Sequence, residues 1–455
     1  MIQPNQICLI VKLYNNRPEL LPDSNVFTYE KCILFTTILI ICECIISCEK
    51  IDITSNELEK SVEQSNSEVI PVEAALASLD KLLVELYGET KSHSEDYTVE
   101  VFGGVQTKSA ACELPDTTLY IIKRENGYAI LSAQSKLKTD VFCITESGSI
   151  TAEDIQNAIL QFENPDIMTK SSDSEDEFED MGRNTIPSII AASVMNQFYY
   201  GREPEYEICE TKANTYSGTP NTLAMLKTKW HQGSLFNDFR TDGAPAGCVA
   251  IATAQIIEFN ALNHGYTHFT IDNNKSFDWN GLFAVCHCSN RFYSGSTFAQ
   301  NEASAFLSYV GLSKNCKIRY KVSGSGGYAD GAKRTFKNMG YKSVKKYLGF
   351  EKADKNRAIA QLTSGFPMYM DGSGPGAGHA WVLDGIYVRK VYRETGGYLR
   401  TENLFHINWG WRGMDDGYFN QGVFDTSQRQ DTESGVDPGS VSSPSSKYTW
   451  TLVSR

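Results

Sequence analysis

The stretch from Cys248 to Glu258, Cys-Val-Ala-Ile-Ala-Thr-Ala-Gln-Ile-Ile-Glu, constrains the possible fold more than any other part of the chain. A turn rich in glycine and proline, Gly243–Gly247, leads directly into it, and the alanines and isoleucines that follow predict a helix beginning at Cys248. Such a helix would be apolar on nearly all sides. Because a helix of this kind is stable only when other elements cover it, we expect it to lie buried inside a domain.

Length and composition indicate a folded protein with more than one domain. With 455 residues, the chain is too long for one ordinary domain and suggests two or three. Hydrophobic residues make up 41% and aromatic residues 11%, which is typical of a chain that forms a core. The formal net charge of −13 argues against nucleic-acid binding, since contacts with phosphate need a basic face. Part of that charge lies in the acidic run Asp173–Asp180, which predicts a solvated linker.

The first 48 residues are typical of an export signal. Residues 33–41 form an apolar run after Lys31, and the run is too short for a membrane-spanning helix, which needs about 20 residues. The segment ends at Ser47-Cys48, which resembles the site where bacterial lipoproteins are cleaved and lipidated on cysteine. We therefore predict a leader over residues 1–48 that directs the protein to secretion or to the bacterial cell surface as a lipoprotein. An ordinary signal peptide or an uncleaved anchor, with Cys48 unmodified, is the alternative.

Residues 49–205 predict a small α+β unit followed by the acidic linker. In residues 71–88, Pro71 suits a first helical turn, Gly88 suits the end, and five apolar side chains share one stripe. These side chains are Val72, Leu76, Leu79, Leu83 and Leu86. Asn126-Gly127 lies between two apolar runs and predicts a β-hairpin. The unit has no catalytic set of its own, so it is either an accessory domain or a propeptide.

The position of Cys248 at the predicted helix start suits a nucleophile. A cysteine attacks only as a thiolate, and the N-terminus of a helix favours an anion through its dipole and its free backbone N–H groups. The same N–H groups can stabilise the oxyanion of a tetrahedral intermediate. Cysteine is also among the most frequently buried residue types, so for Cys248 taken alone a structural role is the stronger interpretation.

Two further segments supply partners for such a cysteine. His379 follows the glycine-rich loop Gly372–Gly378 at the start of a predicted strand, where its side chain can face a cleft. Asn408 and Trp409 end a second strand, and an amide and an indole can orient an imidazole and shield it from water. His379 lies 131 residues after Cys248, within the separation of about 130–150 found in papain-like peptidases.

Five motifs in the C-terminal half occur together in a fixed order. They are Trp230-His-Gln-Gly, Gly247-Cys-Val-Ala-Ile-Ala-Thr-Ala-Gln-Ile, Phe277-Asp-Trp279, Gly378-His-Ala-Trp-Val-Leu-Asp-Gly and Asn408-Trp-Gly-Trp. This combination resembles the streptopain family of cysteine peptidases over roughly residues 220–455, and the hairpin at Asn126-Gly127 resembles the propeptide of that family.

The resemblance implies an α+β fold with a papain-like catalytic domain over residues 206–455. One half of that domain would be helical and carry Cys248, and the other would be a barrel-like antiparallel sheet that carries His379. An N-terminal α+β propeptide would inhibit the enzyme. The implied activity is that of a secreted cysteine endopeptidase, made as a zymogen and acting on proteins or peptides, with a hydrophobic preference at the second subsite and no metal or organic cofactor. The resemblance leaves structural roles for His406, His264 and His268.

Some positions depart from the family pattern. Arg412 stands where the family often has glycine, directly after the Trp-Gly-Trp turn. In papain the oxyanion glutamine lies six residues before the cysteine, where this chain has Asp242, so Gln232 is the nearest alternative and the Cys248 backbone N–H the main donor. The stretch 435–446 resembles a mobile loop that the family places beside the active site.

Three alternatives were weighed against this interpretation. Cys286-His287-Cys288 has the residue types of a metal site, but adjacent side chains in an extended chain point apart, so we predict no metal there. A papain-fold acyltransferase would use the same cysteine and histidine, although the sequences around His379 and Asn408 argue against it. A catalytically inactive homologue acting as an adhesin or binding protein would not need to keep both Cys248 and His379.

Overall fold

A computed structural model describes most of the chain after residue 68. The described residues are 69–87, 97–105, 114–163 except 136 and 138, 185–200, 211–213, 224–286, 297–348, 352–373, 378–392, 398–424 and 449–454. The predicted leader with Cys48, the acidic run Asp173–Asp180, most of the Cys286–Cys288 stretch and the loop 435–446 lie outside them.

The described residues form eight helices and eleven strands. The helices are α1 (Val72–Tyr87), α2 (Ala152–Glu163), α3 (Thr185–Tyr200), α4 (Cys248–His264), α5 (Trp279–Cys286), α6 (Thr297–Gly311), α7 (Ala329–Asn338) and α8 (Lys352–Thr363), with a 3-10 turn at Gln421–Phe424. The strands are β1 (Thr98–Phe102), β2 (Leu119–Lys123), β3 (Tyr128–Ser132), β4 (Val141–Thr145), β5 (Thr211–Ala213), β6 (Lys345–Leu348), β7 (Met368–Ser373), β8 (Gly378–Tyr392), β9 (Tyr398–Asn408), β10 (Gly417–Asn420) and β11 (Thr449–Ser454).

All the strands join one antiparallel sheet. Its order is β1-β2-β3-β4-β10-β9-β8-β7-β11-β6, and β5 pairs with β8 outside this path. The predicted hairpin at Asn126-Gly127 is confirmed, because β2 and β3 pair from Lys123 opposite Tyr128 and Arg124 N–H donates to the Gly127 carbonyl over 3.0 Å. The helices α1 and α2 and the strands β1–β4, within residues 69–163, are called the N-terminal unit below. Strand β4 pairs with β10, so the N-terminal unit extends the sheet of the C-terminal half.

Helix α4 is the buried helix that the sequence predicts. Twelve of its seventeen residues are buried. Helices α5, α6 and α7 cover it on one side, and strands β7 and β8 cover it on the other. The helix begins at Cys248 after Gly247, whose φ of 92° is in the left-handed region, and it ends at Gly265 with a φ of 74°. Glycine suits both ends because it adopts a positive φ without steric strain.

Helix α1 packs its apolar stripe against the C-terminal half. Its buried side chains are Ala75, Leu79, Leu82, Leu83 and Leu86. They share one core with Tyr387, Leu404 and Tyr418 of strands β8, β9 and β10. The Tyr387 hydroxyl also donates a hydrogen bond to the Glu85 carboxylate. The N-terminal unit is therefore attached to the C-terminal half through both its sheet and its helix.

A buried helix interrupts the stretch that we assigned to the propeptide and linker. Helix α3 places Ile189, Ile190 and Val194 in the same core as Trp381 and Phe405 of the C-terminal strands. The sequence Ile-Pro-Ser-Ile-Ile-Ala-Ala-Ser-Val-Met has too few charged residues for a solvated linker and is stable in this place because the sheet covers it.

The predicted α+β class is confirmed, and so is the division into a helical part that carries Cys248 and an antiparallel sheet that carries His379. The helical part is built around α4, and α2, α3 and α8 pack with the sheet. Within the ranges described above, the search for a helix long and apolar enough to cross a membrane found none.

Candidate active site

Cys248 is the first residue of α4, as the sequence predicts, and the turn before it is tightly packed. A side chain on Gly247 would meet the Ile318 methyl carbon at 3.2 Å and the Ser325 carbonyl oxygen at 3.4 Å, in addition to the strain of its positive φ. The first helical hydrogen bond runs from Ala250 N–H to the Gly247 carbonyl over 3.0 Å. The backbone N–H groups of Cys248 and Val249 precede that bond, so they are available to an anion beside the sulfur.

Burial controls the protonation of the Cys248 thiol. We expected the helix start to favour the thiolate. Instead, burial, together with the nearby Asp371 carboxylate, raises the pKa of the Cys248 thiol to about 11. Backbone N–H groups, including that of Ala380, lower this pKa but do not outweigh burial. In the structure the sulfur is therefore a thiol at neutral pH, because desolvation of an anion exceeds the benefit of the helix dipole.

His379 lies at the start of β8, directly before the residue whose N–H faces the Cys248 sulfur. Its Nε2 lies 2.9 Å from the backbone carbonyl oxygen of Trp409. A carbonyl only accepts, so Nε2 carries the proton and Nδ1 is the nitrogen with a free lone pair. Burial lowers the pKa of His379 to about 4, although the bond to Trp409 acts in the opposite direction. At neutral pH the imidazole is uncharged and can accept a proton.

Three tryptophans lie around the His379 ring. Trp381 and Trp409 are fully buried, and their ring centroids lie 6.2 Å from that of His379. Trp411 is closer, at 4.8 Å, and is partly exposed. The rings of Trp409 and Trp411 stack with 5.2 Å between their centroids. We predicted Trp409 as the shield of the histidine; the structure adds Trp411, which the sequence carries in the same motif.

Asn408 lies beside His379 but uses its side chain elsewhere. Its Nδ2 donates to the Thr228 carbonyl over 2.8 Å. Its Oδ1 accepts from Gln255 Nε2 over 3.0 Å and from Gly410 N–H over 3.1 Å. The group that receives the His379 hydrogen bond is thus the carbonyl of the next residue, Trp409. The amide of Asn408 acts on that carbonyl indirectly, because Gly410 N–H and the Trp409 carbonyl belong to one peptide plane.

Gln232 lies next to the turn that leads to Cys248. Its backbone carbonyl accepts from Ala246 N–H over 2.8 Å, two residues before the cysteine, and the residue is partly exposed. This position is compatible with an oxyanion donor. Asp242 is exposed, binds Arg240 and caps Ala244 N–H over 3.1 Å, so its carboxylate is used within its own turn.

Arg412 occupies a backbone conformation that normally belongs to glycine. Its φ is 60°, which accounts for the glycine that the family often has there. Its N–H donates to the Trp230 carbonyl over 3.1 Å, and its Nη2 lies 3.0 Å from His231 Nε2. Burial and Arg412 lower the pKa of His231 to about 3. The arginine therefore adds a positive charge beside the Trp-Gly-Trp turn.

His406 lies in a different environment from His379. It is 3% exposed, and its Nδ1 lies 2.6 Å from Asp384 Oδ1 while its Nε2 lies 3.3 Å from Glu146 Oε1. Burial alone would lower its pKa, but Asp384 and Glu146 raise the pKa of His406 to about 10. A histidine that holds its proton at neutral pH is unsuited to act as a general base. His264 stacks on Phe366, with 3.9 Å between centroids, and His268 is exposed.

The described residues contain no group of three or more His, Cys, Asp or Glu side chains arranged to hold a metal ion.

One residue that the sequence reasoning missed is Asp416, which is buried and accepts from Trp409 N–H over 2.9 Å. It follows the Trp-Gly-Trp motif by five residues, and nothing in that spacing indicates that the chain folds back onto Trp409.

Part of the chain is similar to known cysteine peptidases. Residues 230–419 match the model of the peptidase C10 family. Streptopain of Streptococcus pyogenes is 30% identical over 247 residues, which cover 45% of this chain and 58% of streptopain. The thiol protease/hemagglutinin PrtT of Porphyromonas gingivalis is 26% identical over 251 residues, which cover 47% of this chain and 27% of that protein. The chain thus spans less than two thirds of the length of these relatives.

Two solved structures from Prevotella intermedia are similar to this chain. A prointerpain A fragment aligns with a TM-score of 0.46 and 18% identity, over 78% of this chain and 98% of the fragment. The active interpain A cysteine protease aligns with a TM-score of 0.34 and 20% identity, over 50% of this chain and 92% of interpain A. With the family model matched over residues 230–419, this part of the chain is similar to the peptidase C10 family, and the chain is similar to streptopain-type cysteine peptidases.

Proposed function

We propose that this protein is a cysteine endopeptidase with Cys248 as nucleophile and His379 as general base. The observation that carries the proposal is the hydrogen bond from His379 Nε2 to the Trp409 carbonyl, 2.9 Å long, which leaves Nδ1 to receive a proton. The Cys248 sulfur lies against the N–H of the residue after His379. The similarity of residues 230–419 to the peptidase C10 family supports protein or peptide substrates.

The proposed reaction has two stages. The Cys248 thiol transfers its proton to His379 Nδ1, and the thiolate attacks the carbonyl carbon of the scissile peptide. The oxyanion is held by the backbone N–H of Cys248, with Gln232 as the proposed side-chain donor. The imidazolium then donates its proton to the leaving amine, and an acyl-enzyme remains. Water, deprotonated by His379, hydrolyses the acyl-enzyme and regenerates the thiol.

Substitution of the pair tests this assignment. We expect Cys248→Ala and His379→Ala each to abolish casein hydrolysis while leaving the urea midpoint near that of the wild type. Because the two residues act as one unit, the double variant should be no less active than either single variant. His264→Ala is the matched control, since His264 contacts Phe366 and the Gly365 carbonyl, away from the sulfur. Retention of a few per cent of the activity in Cys248→Ala, with contamination excluded, disproves the assignment.

We further propose that the chain is secreted as an inactive precursor and that residues 49–205 contain the inhibitory propeptide. The attachment of α1 and β4 to the C-terminal half supports a stable association. The uncharged state of Cys248 and His379 supports low reactivity in the full chain. Since α3 packs in the core of the C-terminal strands, we propose that the maturation cleavage lies before Thr185, within residues 170–184.

The precursor is tested with the Cys248→Ala chain, which cannot cleave itself. We expect it to stay full length until a trace of active enzyme converts it to a stable fragment that begins before Thr185. In the wild type, iodoacetamide should label Cys248 slowly at pH 7 in the full chain and faster once the linker is cut and the N-terminal piece removed. A full chain as active as the cut one would show that residues 49–163 are an accessory domain. Mass spectrometry of the secreted protein's N-terminus tests lipidation of Cys48.

A further inference from the structure

The carbonyl that orients His379 belongs to Trp409, and the peptide groups before and after Trp409 are each hydrogen-bonded to a side chain. Trp409 N–H donates to Asp416 Oδ1 over 2.9 Å. On the other side, Gly410 N–H donates to Asn408 Oδ1 over 3.1 Å, which fixes the peptide plane that contains the Trp409 carbonyl. The two peptide planes that flank Trp409 are therefore each anchored by one buried side chain.

Asp416 is well placed to act as a rigid anchor. It is 1% exposed and lies directly before β10, which pairs with β9 and β4. Its second carboxylate oxygen, Oδ2, lies 3.3 Å from Lys229 Nζ. The charged groups that face it are Lys229, His406 and Asp384. A carboxylate held between an ammonium and a backbone N–H has little freedom to rotate, because each oxygen has its own donor.

We propose that Asp416 is a positioning residue for His379, acting through the backbone of Trp409. This inference rests on the proposed function of the same site. Asp416 does not touch the reacting atoms. It holds Trp409 so that the Trp409 carbonyl selects the imidazole tautomer with the proton on Nε2 and keeps Nδ1 available. The segment that follows the Trp-Gly-Trp turn thus helps to determine the tautomer of the His379 imidazole.

Two substitutions and a matched control separate this role from a general loss of stability. Asp416→Ala removes the acceptor of Trp409 N–H. Asp416→Asn keeps an oxygen for Trp409 but turns its NH2 toward Lys229, which is also a donor. The control is Glu402→Gln. Glu402 is a buried carboxylate on β9 that pairs with Arg389, and Arg389 lies on β8, ten residues after His379.

The decisive readout is the tautomer of His379 in the full chain, measured by 15N NMR of histidine-labelled protein and assigned with His379→Ala. We expect the Nε2–H form in the wild type and in Glu402→Gln, a mixture of both forms in Asp416→Ala, and a partial mixture in Asp416→Asn. In chains activated by cleavage, kcat should fall by roughly 10- to 100-fold in Asp416→Ala with KM within about twofold, since a displaced catalytic group costs about this much.

If Asp416→Ala does not fold, Asp416→Asn and the double variant Asp416→Asn with Lys229→Met decide the question. The double variant removes the clash between two donors, so its His379 tautomer and kcat should return toward those of the wild type. The inference is overturned if Asp416→Asn matches Glu402→Gln in both tautomer and kcat, or if Lys229→Met gives no recovery. Should the wild type hydrolyse no peptide at all, the proposed function fails, and the tautomer measurement still tests the role of Asp416.

Discussion

Replacement of His406 by glutamine should weaken the fold strongly without disabling the proposed catalytic pair, Cys248 and His379. His406, on β9, is buried between Asp384 and Glu146, whereas the backbone N–H that faces the Cys248 sulfur belongs to Ala380 on the neighbouring strand β8. Glutamine keeps an N–H donor for Asp384 but removes the positive charge. Asp384 would then remain as a buried carboxylate, which also accepts from Leu226 N–H over 2.9 Å, without the imidazolium beside it.

The size of the effect follows from the protonation of His406. A rise of its pKa from 6.5 to about 10 corresponds to roughly 5 kcal/mol of folding free energy if the whole difference is realised. Breaking a buried ion pair by removing one partner costs about 3–5 kcal/mol. Because the glutamine amide still donates to Asp384, we expect about 3 kcal/mol, near the lower end of this range.

The dependence on pH has a definite sign. A histidine whose pKa is raised in the folded state contributes its full stabilisation below the unfolded value of about 6.5 and loses it as the pH rises toward about 10. The difference in free energy of unfolding between the wild type and His406→Gln should therefore be largest near pH 6 and shrink steadily toward pH 10. A loss of packing alone would give a difference that is constant across this range.

Urea unfolding followed by tryptophan fluorescence, at five pH values from 6 to 10, measures this difference. His264→Gln is the control, because His264 has an aromatic and a carbonyl neighbour but no carboxylate among its hydrogen-bond partners. The folded fraction of His406→Gln should keep the Cys248 alkylation rate of the wild type. The reasoning is refuted if the variant is as stable as the His264 control at pH 6, or if it folds normally and is inactive while His379→Ala stays active.

Two further predictions concern the turns that meet at the site. Gly247→Ala should cost about 1–2 kcal/mol in urea unfolding and slow the alkylation of Cys248, because alanine is strained at a φ of 92° and its Cβ would crowd Ile318. Gly265→Ala, with a φ of 74° but open space around its Cβ, should show the strain without the slower alkylation. Glu146→Gln is tested in a chain cut in its linker, where dissociation of the N-terminal piece should become about two- to fivefold faster. The effect is small because Glu146 is one third exposed, so its ion pair with His406 is worth only about 0.5–1 kcal/mol. Glu153→Gln, at the exposed start of α2, should leave the dissociation rate unchanged, and equal rates for both variants would contradict the role of Glu146.

Local patterns in the sequence were sufficient to predict several elements. Helix α4 follows from a glycine turn and an apolar run, and the β2–β3 hairpin follows from Asn126-Gly127 between two apolar strands. Helix α1 follows from an apolar stripe, which the structure buries against the sheet. In each case the signal lies within about twenty residues, so neighbouring side chains and backbone preferences decide the outcome.

Features that depend on distant contacts were not visible in the sequence. The pairing of β4 with β10 joins residues that are about 270 positions apart, and no local pattern indicates which strand edge meets which. Helix α3 lies in a stretch that we read as linker, and it is buried only because the sheet covers it. Burial raises the pKa of the Cys248 thiol to about 11, and the degree of burial cannot be read from the helix start alone.

The segment 408–416 shows why the orienting group was harder to predict than the catalytic pair. Sequence reasoning compares side chains, and Asn408 is the side chain that suits the task. The group that binds His379 is a backbone carbonyl, which every residue carries, so only the path of the turn selects it. That path is fixed by the approach of Gly410 to Ile251 of α4, where a Cβ would lie 3.0 Å from a methyl carbon.

The same segment also binds the N-terminal unit. Ser147 Oγ donates to the Gly413 carbonyl over 2.7 Å, and Glu146 N–H donates to the Asp416 carbonyl over 2.7 Å. Residues 146–147 thus hold the backbone of Asp416, whose carboxylate holds Trp409. Removal of the N-terminal unit would break these two hydrogen bonds to the turn that orients His379 without changing any contact of the histidine itself. If residues 49–205 contain the proposed propeptide, its removal would therefore act on His379, the proposed base, through one short stretch of backbone.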